Sequence, residues 1–285
     1  MMRYGLVCSL EPVPMDRPVA FQGPLETYAS LVRDIGYDAI ELHLRNPRQV
    51  DGQAIRETAN RCGLTICALS TGLEYGLNGL SLISDDATVR QAAIERLREH
   101  IDLAAGLSDK QPCLVVIGTM RSNIPDQTRR AEYEAYHTSA LLDLADYARQ
   151  MDVQLVIESI TRYISNYLNT VPETARFLRG LGQPNLKLHI DTHSMNIEDA
   201  DLPAAVLAGA SELGYVHFSD SNRRYPGGGN IDFKPIVKKL VDIGYDGIIT
   251  SECLPIPDAE TAARQGLEYM KAQETCVRVE SWRDA

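Results

Sequence analysis

The chain has 285 residues, 44% of them hydrophobic and 24% charged, the make-up of an ordinary soluble globular protein. Its net charge of −11 argues against a nucleic-acid surface, which needs many Lys and Arg contacts to phosphate, though anionic small molecules respond to local charge and stay allowed. No apolar run reaches membrane-spanning length, and the opening MMRYGLVCSLEPVP lacks a charged segment followed by a long apolar one. Six cysteines (Cys8, Cys62, Cys67, Cys113, Cys253, Cys276) form no CxxC pair, so they read as reduced thiols and the protein as cytoplasmic.

Strand and helix signals then alternate along the whole chain without a linker, which reads as one domain over residues 1–285. RYGLVCSL is the first strand, and LETYASLVRDIG is a helix stopped at Gly36. DAIELHL follows as a strand, then DGQAIRETANRCG as a helix that again ends in Gly, then LTICALST as the third strand. After a Gly-rich loop, Asp85 and Asp86 suit the first turn of a helix running to about Ala105; PCLVVIGT is the fourth strand, and residues 128–151 are the fourth helix. VQLVIE, LKLHID, GYVHFSD and GIITSE are the remaining strands. Their helices are VPETARFLRGLG, DLPAAVLAGASELG, DFKPIVKKLVDIG and a last one over 258–274. Eight β-then-α units imply a parallel sheet of the α/β class, closing as a (β/α)8 TIM barrel. An open doubly wound sheet would usually carry a Gly-rich phosphate turn after the first strand, and CSLEPVPM is not one.

Four of these strands end in a metal-grade side chain: Glu158, Asp191, His217 and Glu252. Side chains in a strand alternate, so Glu158 shares a face with Val156, Asp191 with His189, His217 with Tyr215, and Glu252 with Thr250. The intervening residues are nearly all large and apolar and suit the helix-facing side. A lone Glu at a strand end is more often a solvated loop residue, and a lone His in an apolar run a core histidine. Four in phase on consecutive strands change that balance, because inward carboxylates without a cation repel one another in a poorly solvated mouth. Three carboxylates and an imidazole suit one divalent ion in a preformed site, Mn²⁺ first, with Mg²⁺, Co²⁺ or Zn²⁺ as alternatives.

The stretches ESITRYISNYLNT, HIDTHSMNIED, VHFSDSNRRYPGGGNIDF and IGYDGIITSECLP resemble the xylose isomerase-like TIM barrels, in the sugar phosphate isomerase and epimerase group that includes D-tagatose 3-epimerase. The spacing of positions 158, 191, 217 and 252 agrees with that family's metal quartet. The resemblance implies a divalent-metal-dependent isomerase or epimerase of a sugar or sugar derivative. Polarisation of a bound carbonyl makes the adjacent C–H acidic, a carboxylate removes the proton, and an enediolate results. It also implies that Glu158 and Glu252 double as metal ligands and catalytic acid/base residues, and that Arg223 contacts substrate hydroxyls.

Two positions depart from the family pattern. DTHSMNIE has Ser194 where the family places a substrate-binding His, with His193 one residue earlier as a candidate substitute, and RYI puts Ile164 where the family has a supporting Glu. Chemistry is therefore better marked than substrate. Glu41 and His43 lie in phase on the second strand; Glu41 reads as an internal hydrogen-bonding residue and His43 as a candidate substrate contact. Arg45, Arg121, Arg162 and Arg224 lie in catalytic-side loops and read mainly as solvated, and PGGGNID as a flexible turn. Two other activities compete on the same scaffold. One is a dehydratase acting on an inosose or dehydroshikimate. The other is an apurinic endonuclease, which would need histidines where this chain has Ser70, Thr71 and Gly118. The expected partner is a small sugar, with no nucleic acid and no membrane; association into a dimer or tetramer stands open beside a monomer.

Overall fold

The computed structural model describes residues 1–109 and 111–283. Eight parallel strands, Arg3–Ser9, Ala39–His43, Thr65–Ser70, Leu114–Ile117, Leu155–Glu158, Leu186–Asp191, Leu213–Phe218 and Ile248–Ser251, pair in sequence order. The first also pairs with the last, which closes the barrel. The TIM-barrel expectation is borne out. A two-residue strand, Phe21–Gln22, extends the first strand outside the ring.

Two apolar layers follow from the alternation along each strand. Leu155, Ile157, Leu188, Ile190, Val216, Phe218 and Ile249 join the outer core beneath the helices. Ala39, Cys67, Leu114, Val116, Val156, Tyr215 and Ile248 fill the barrel axis. An irregularity between the sixth and seventh strands pairs Leu188 with Leu213 but His189 with Tyr215, leaving Gly214 as the extra residue. That bulge brings His217 opposite Asp191, while Glu158 lies opposite His189. The barrel bottom is thus apolar and its mouth is acidic and basic.

Several elements differ from the sequence reading. The Gly-rich stretch after the third strand contains a helix, Gly72–Asn78, because Glu74 is buried and held by Arg96 (2.6 Å) and Asn78 (2.8 Å). DTHSMNIE is a helix too, Thr192–Glu198, capped by the Asp191 carboxylate, which accepts from the His193 N–H at 3.0 Å. The last helix runs from Ala259 to Arg283, past the expected end at 274. Its buried Glu274 accepts from the Met2 N–H (2.8 Å) and the Tyr4 hydroxyl (3.0 Å), tying it to the first strand. Gly36 does cap its helix in the left-handed region, at φ 109°. All six cysteines are free. No described helix is long and apolar enough to cross a membrane.

Candidate active site

The floor of the barrel mouth is a polar network sunk into the axis. Glu41 is fully buried, and its Oε2 accepts from His217 Nε2 at 2.6 Å and from the Tyr215 hydroxyl at 2.7 Å. Tyr215 in turn lies 2.7 Å from the Thr250 hydroxyl. Burial alone would push the Glu41 carboxyl up, but the charge and hydrogen bond of His217, aided by His43, hold it well below the usual carboxylate range. Burial likewise pushes His217 down, and the flanking Glu41 and Glu252 outweigh it, so the imidazole is held well above its ordinary value. His189 packs edge-on beneath His217, ring centres 4.2 Å apart, and burial with that neighbouring charge keeps it neutral.

Above this floor the acidic residues converge. The Arg223 guanidinium bridges two of them, donating to Asp191 Oδ2 and, at 2.7 Å, to Glu252 Oε2. His217 Nδ1 lies 3.5 Å from the same Glu252 oxygen. Glu252 continues the ladder one residue past its strand, its N–H donating to Phe218 O at 3.1 Å. Burial raises its pKa, yet Arg223 and His217 bring it down to about 2. Glu158 has no ion-pair partner among the described residues, and the more distant His217 and Arg223 only partly offset its surroundings. Burial, then the charges of Glu252 and Asp191, push it up to about 8. The two carboxyls are thus driven in opposite directions, the usual sign of an acid and a base sharing one site.

Gly118, just past the fourth strand, makes room for Glu158: a Cβ there would sit 2.7 Å from Glu158 Oε2. Gly118→Ala should therefore displace that carboxyl and lower kcat/KM by roughly tenfold or more, since small misplacements of reacting groups are costly. Steady-state kinetics beside a melting curve would separate this from loss of folding.

Arg223 is aimed by its loop. Buried Asp220 accepts from the N–H groups of Ser221 (2.7 Å), Gly227 (2.9 Å) and Ile231 (3.0 Å), and Gly229 leaves the space that a Cβ would take from that carboxylate. The PGGGNID segment is therefore an ordered turn wrapped around Asp220, not the flexible one that its glycines suggested. Arg223 itself adopts φ 63°, and the Leu254 N–H donates to its carbonyl at 2.8 Å.

A cavity of about 240 Å³ opens over this cluster, lined by Glu158, Glu252, Arg223, His43, His193 and Ser194 and walled by Leu73, Ile160 and Ile164. All three residues expected to meet substrate (Arg223, His193, His43) line it, and His193 is steadied by its Nδ1, 3.2 Å from Asp220 O. Ser194 faces the same space, so the helix presents both residues side by side. Most of the loop arginines are engaged elsewhere. Arg162 is bidentate to Glu198 (Nη2 to Oε2 at 2.7 Å, Nε to Oε1 at 3.0 Å), Arg45 pairs with Glu11, and Arg121 is fully buried against the carbonyls of Tyr167 and Leu168.

A family model described as "Xylose isomerase-like TIM barrel" matches residues 29–273. The chain belongs to this family. Among its relatives are the ketose 3-epimerase of Arthrobacter globiformis, 34% identical over 77% of this chain and 74% of the relative. The L-ribulose 3-epimerase of Methylomonas sp. (strain DH-1) is 35% identical over 76% of this chain and 74% of its own. A solved L-ribulose 3-epimerase structure superposes with a TM-score of 0.84 at 26% identity, covering 100% of this chain and 98% of that one. The sugar isomerase/epimerase reading agrees with these relatives, whose named activities are epimerisations rather than dehydrations.

Among the described residues, no three His, Cys, Asp or Glu side chains are gathered into a finished metal cage, so the preformed site expected from the strand phases is not what the fold presents. The reason is physical: Arg223 already neutralises Asp191 and Glu252. The donor set nevertheless fits a divalent ion. His217 Nδ1 is buried without a hydrogen-bond partner among the described residues, its other nitrogen is fixed by Glu41, and Glu158 is pushed up by burial and then by the charges of Glu252 and Asp191, which a cation would offset.

Proposed function

We propose that the protein inverts the carbon next to the carbonyl of an unphosphorylated ketose or keto-sugar. One divalent cation, Mn²⁺ by preference, would be held by Glu158, Asp191, His217 and Glu252. The observation that carries this reading is the pair Glu158 and Glu252, lining one cavity with carboxyls driven in opposite directions. When bound, the cation supplies Lewis acidity to the carbonyl and acidifies the neighbouring C–H.

Glu252, ionised at neutral pH, removes that proton. The C–H electron pair becomes the new C=C bond, and the former carbonyl oxygen takes the negative charge. Glu158, once it has taken up a proton from solvent through the open cavity, returns it to the opposite face, and the roles exchange in the reverse direction. Arg223, which now pairs with Asp191 and Glu252, would donate to substrate hydroxyls, and His193, His43 and Ser194 complete the polar wall. The lack of a phosphate in the substrate is supported by the arginines: Arg162, Arg45 and Arg121 are committed within the protein, and Arg17 lines the mouth beside Asp16. A phosphate site would more usually gather several free donors.

Incubation in D₂O with ketoses, ketose phosphates and cyclitol ketones tests the reading. Deuterium should enter the carbon beside the carbonyl of an unphosphorylated ketose, together with the inverted product. Loss of water with a new ultraviolet absorbance, on a cyclitol ketone or keto acid, would overturn it in favour of a dehydratase.

A further inference from the structure

We infer that Glu41 is a positioning residue of the cation site, holding His217 by its Nε2–H so that Nδ1 is the nitrogen presented to the cation. Sequence alone left Glu41 as an internal hydrogen-bonding group without a partner. The fold gives it two. Oε2 accepts from His217 Nε2 at 2.6 Å and from the Tyr215 hydroxyl at 2.7 Å, and Oε1 lies 3.5 Å from His43 Nε2. With its proton directed at Glu41, the Tyr215 oxygen is left to accept from the Thr250 hydroxyl, 2.7 Å away. The donors Thr250 to Tyr215 to Glu41 from the barrel axis, and His217 from the mouth, therefore converge on the Glu41 carboxylate.

Placing a carboxylate at the centre of a barrel is costly, since Glu41 is fully buried and, among the described residues, no Lys or Arg pairs with it. A residue kept only for packing would be better apolar there, as Ala39 on the same strand is. The orientation of His217 explains the cost. A neutral imidazole carries one proton, and a carboxylate at Nε2 keeps it there, leaving the Nδ1 lone pair for a metal. Nδ1 is the atom near Glu252, and it has no hydrogen-bond partner among the described residues. His189 and Tyr215 pack against the ring at centre distances of 4.2 and 5.1 Å and fix its plane.

The inference rests on the proposed cation site, and two readouts keep the failures apart. In metal-free wild-type protein, ¹⁵N–¹H spectra should show a His217 Nε2–H engaged in a strong hydrogen bond, a signal that Glu41→Ala abolishes. In Mg²⁺-loaded protein the same Nε2–H should persist while Nδ1 is bare. Glu41→Gln, near in shape but uncharged, should weaken Mn²⁺ binding about 10- to 100-fold in calorimetric titration with far-UV circular dichroism unchanged. Tyr215→Phe, which removes one donor from Glu41, should weaken it less. A proton on Nδ1 with a bare Nε2 in the loaded protein would overturn the inference. So would unaltered Mn²⁺ affinity in Glu41→Gln. If wild-type protein takes up no cation, the proposed cation site fails, and the metal-free spectrum still decides whether Glu41 holds His217.

Discussion

Glu252→Gln is expected to lower kcat by about three orders of magnitude, within the range for loss of a positioned general base. The amide is close in size, so the cavity wall keeps its shape, but it cannot accept the substrate proton. It also removes the charge that Arg223 and His217 share, 2.7 and 3.5 Å from the same Glu252 oxygen. Two measurements separate these roles. Turnover at saturating Mn²⁺ reports the chemical step, and deuterium exchange into substrate reports proton removal alone. Both should fall by a similar factor. A variant that still exchanged its substrate proton at the wild-type rate would show that another group is the base.

The second large effect concerns Glu158 and pH. Its carboxyl is raised in the folded protein from an ordinary value of 4.5 to about 8. A group with a raised folded pKa contributes its stability below the unfolded value, and that contribution is lost as pH rises through the folded one. Metal-free protein should therefore lose stability between about pH 4.5 and 8. Glu158→Gln, a permanent mimic of the protonated form, should escape this loss. Because one edge of Glu158 opens to the cavity, solvent screening reduces the full shift, leaving roughly 1–3 kcal/mol in favour of the variant at pH 8 and little difference at pH 5. Saturating Mn²⁺ should reverse the order, since a cation rewards the carboxylate that the variant lacks. Melting curves at the two pH values, with and without Mn²⁺, check both signs. A difference independent of pH would mean that Glu158 is not held protonated.

Much of this was readable from residue order because two periodicities carry it. The alternation in VQLVIE, LKLHID and GIITSE places the outer apolar residues and the inner Glu158, Asp191 and Glu252 on opposite faces, and the fold keeps that assignment. Gly36 stops its helix for the local reason that its type suggests. What was not legible depends on contacts between distant residues. The helix at 72–78 is held by Arg96, a partner on another helix, and its two glycines read as loop. The glycines after Arg224 look flexible until Asp220 is seen to bind three of the N–H groups around them. Arg223 was expected to meet substrate, yet it also spans Asp191 and Glu252, which no spacing rule reveals. Glu41 showed the right phase but not its partner, since His217 lies 176 residues away in sequence.

The central claim is that one constellation both holds a cation and moves a proton. Equilibrium dialysis of metal-free protein against Mn²⁺ tests it most directly. One ion per chain should bind wild type, and binding should be lost or severely weakened when Glu158→Gln is combined with Asp191→Asn. Wild-type protein that takes up no ion, or a double variant that binds as wild type does, would contradict the account.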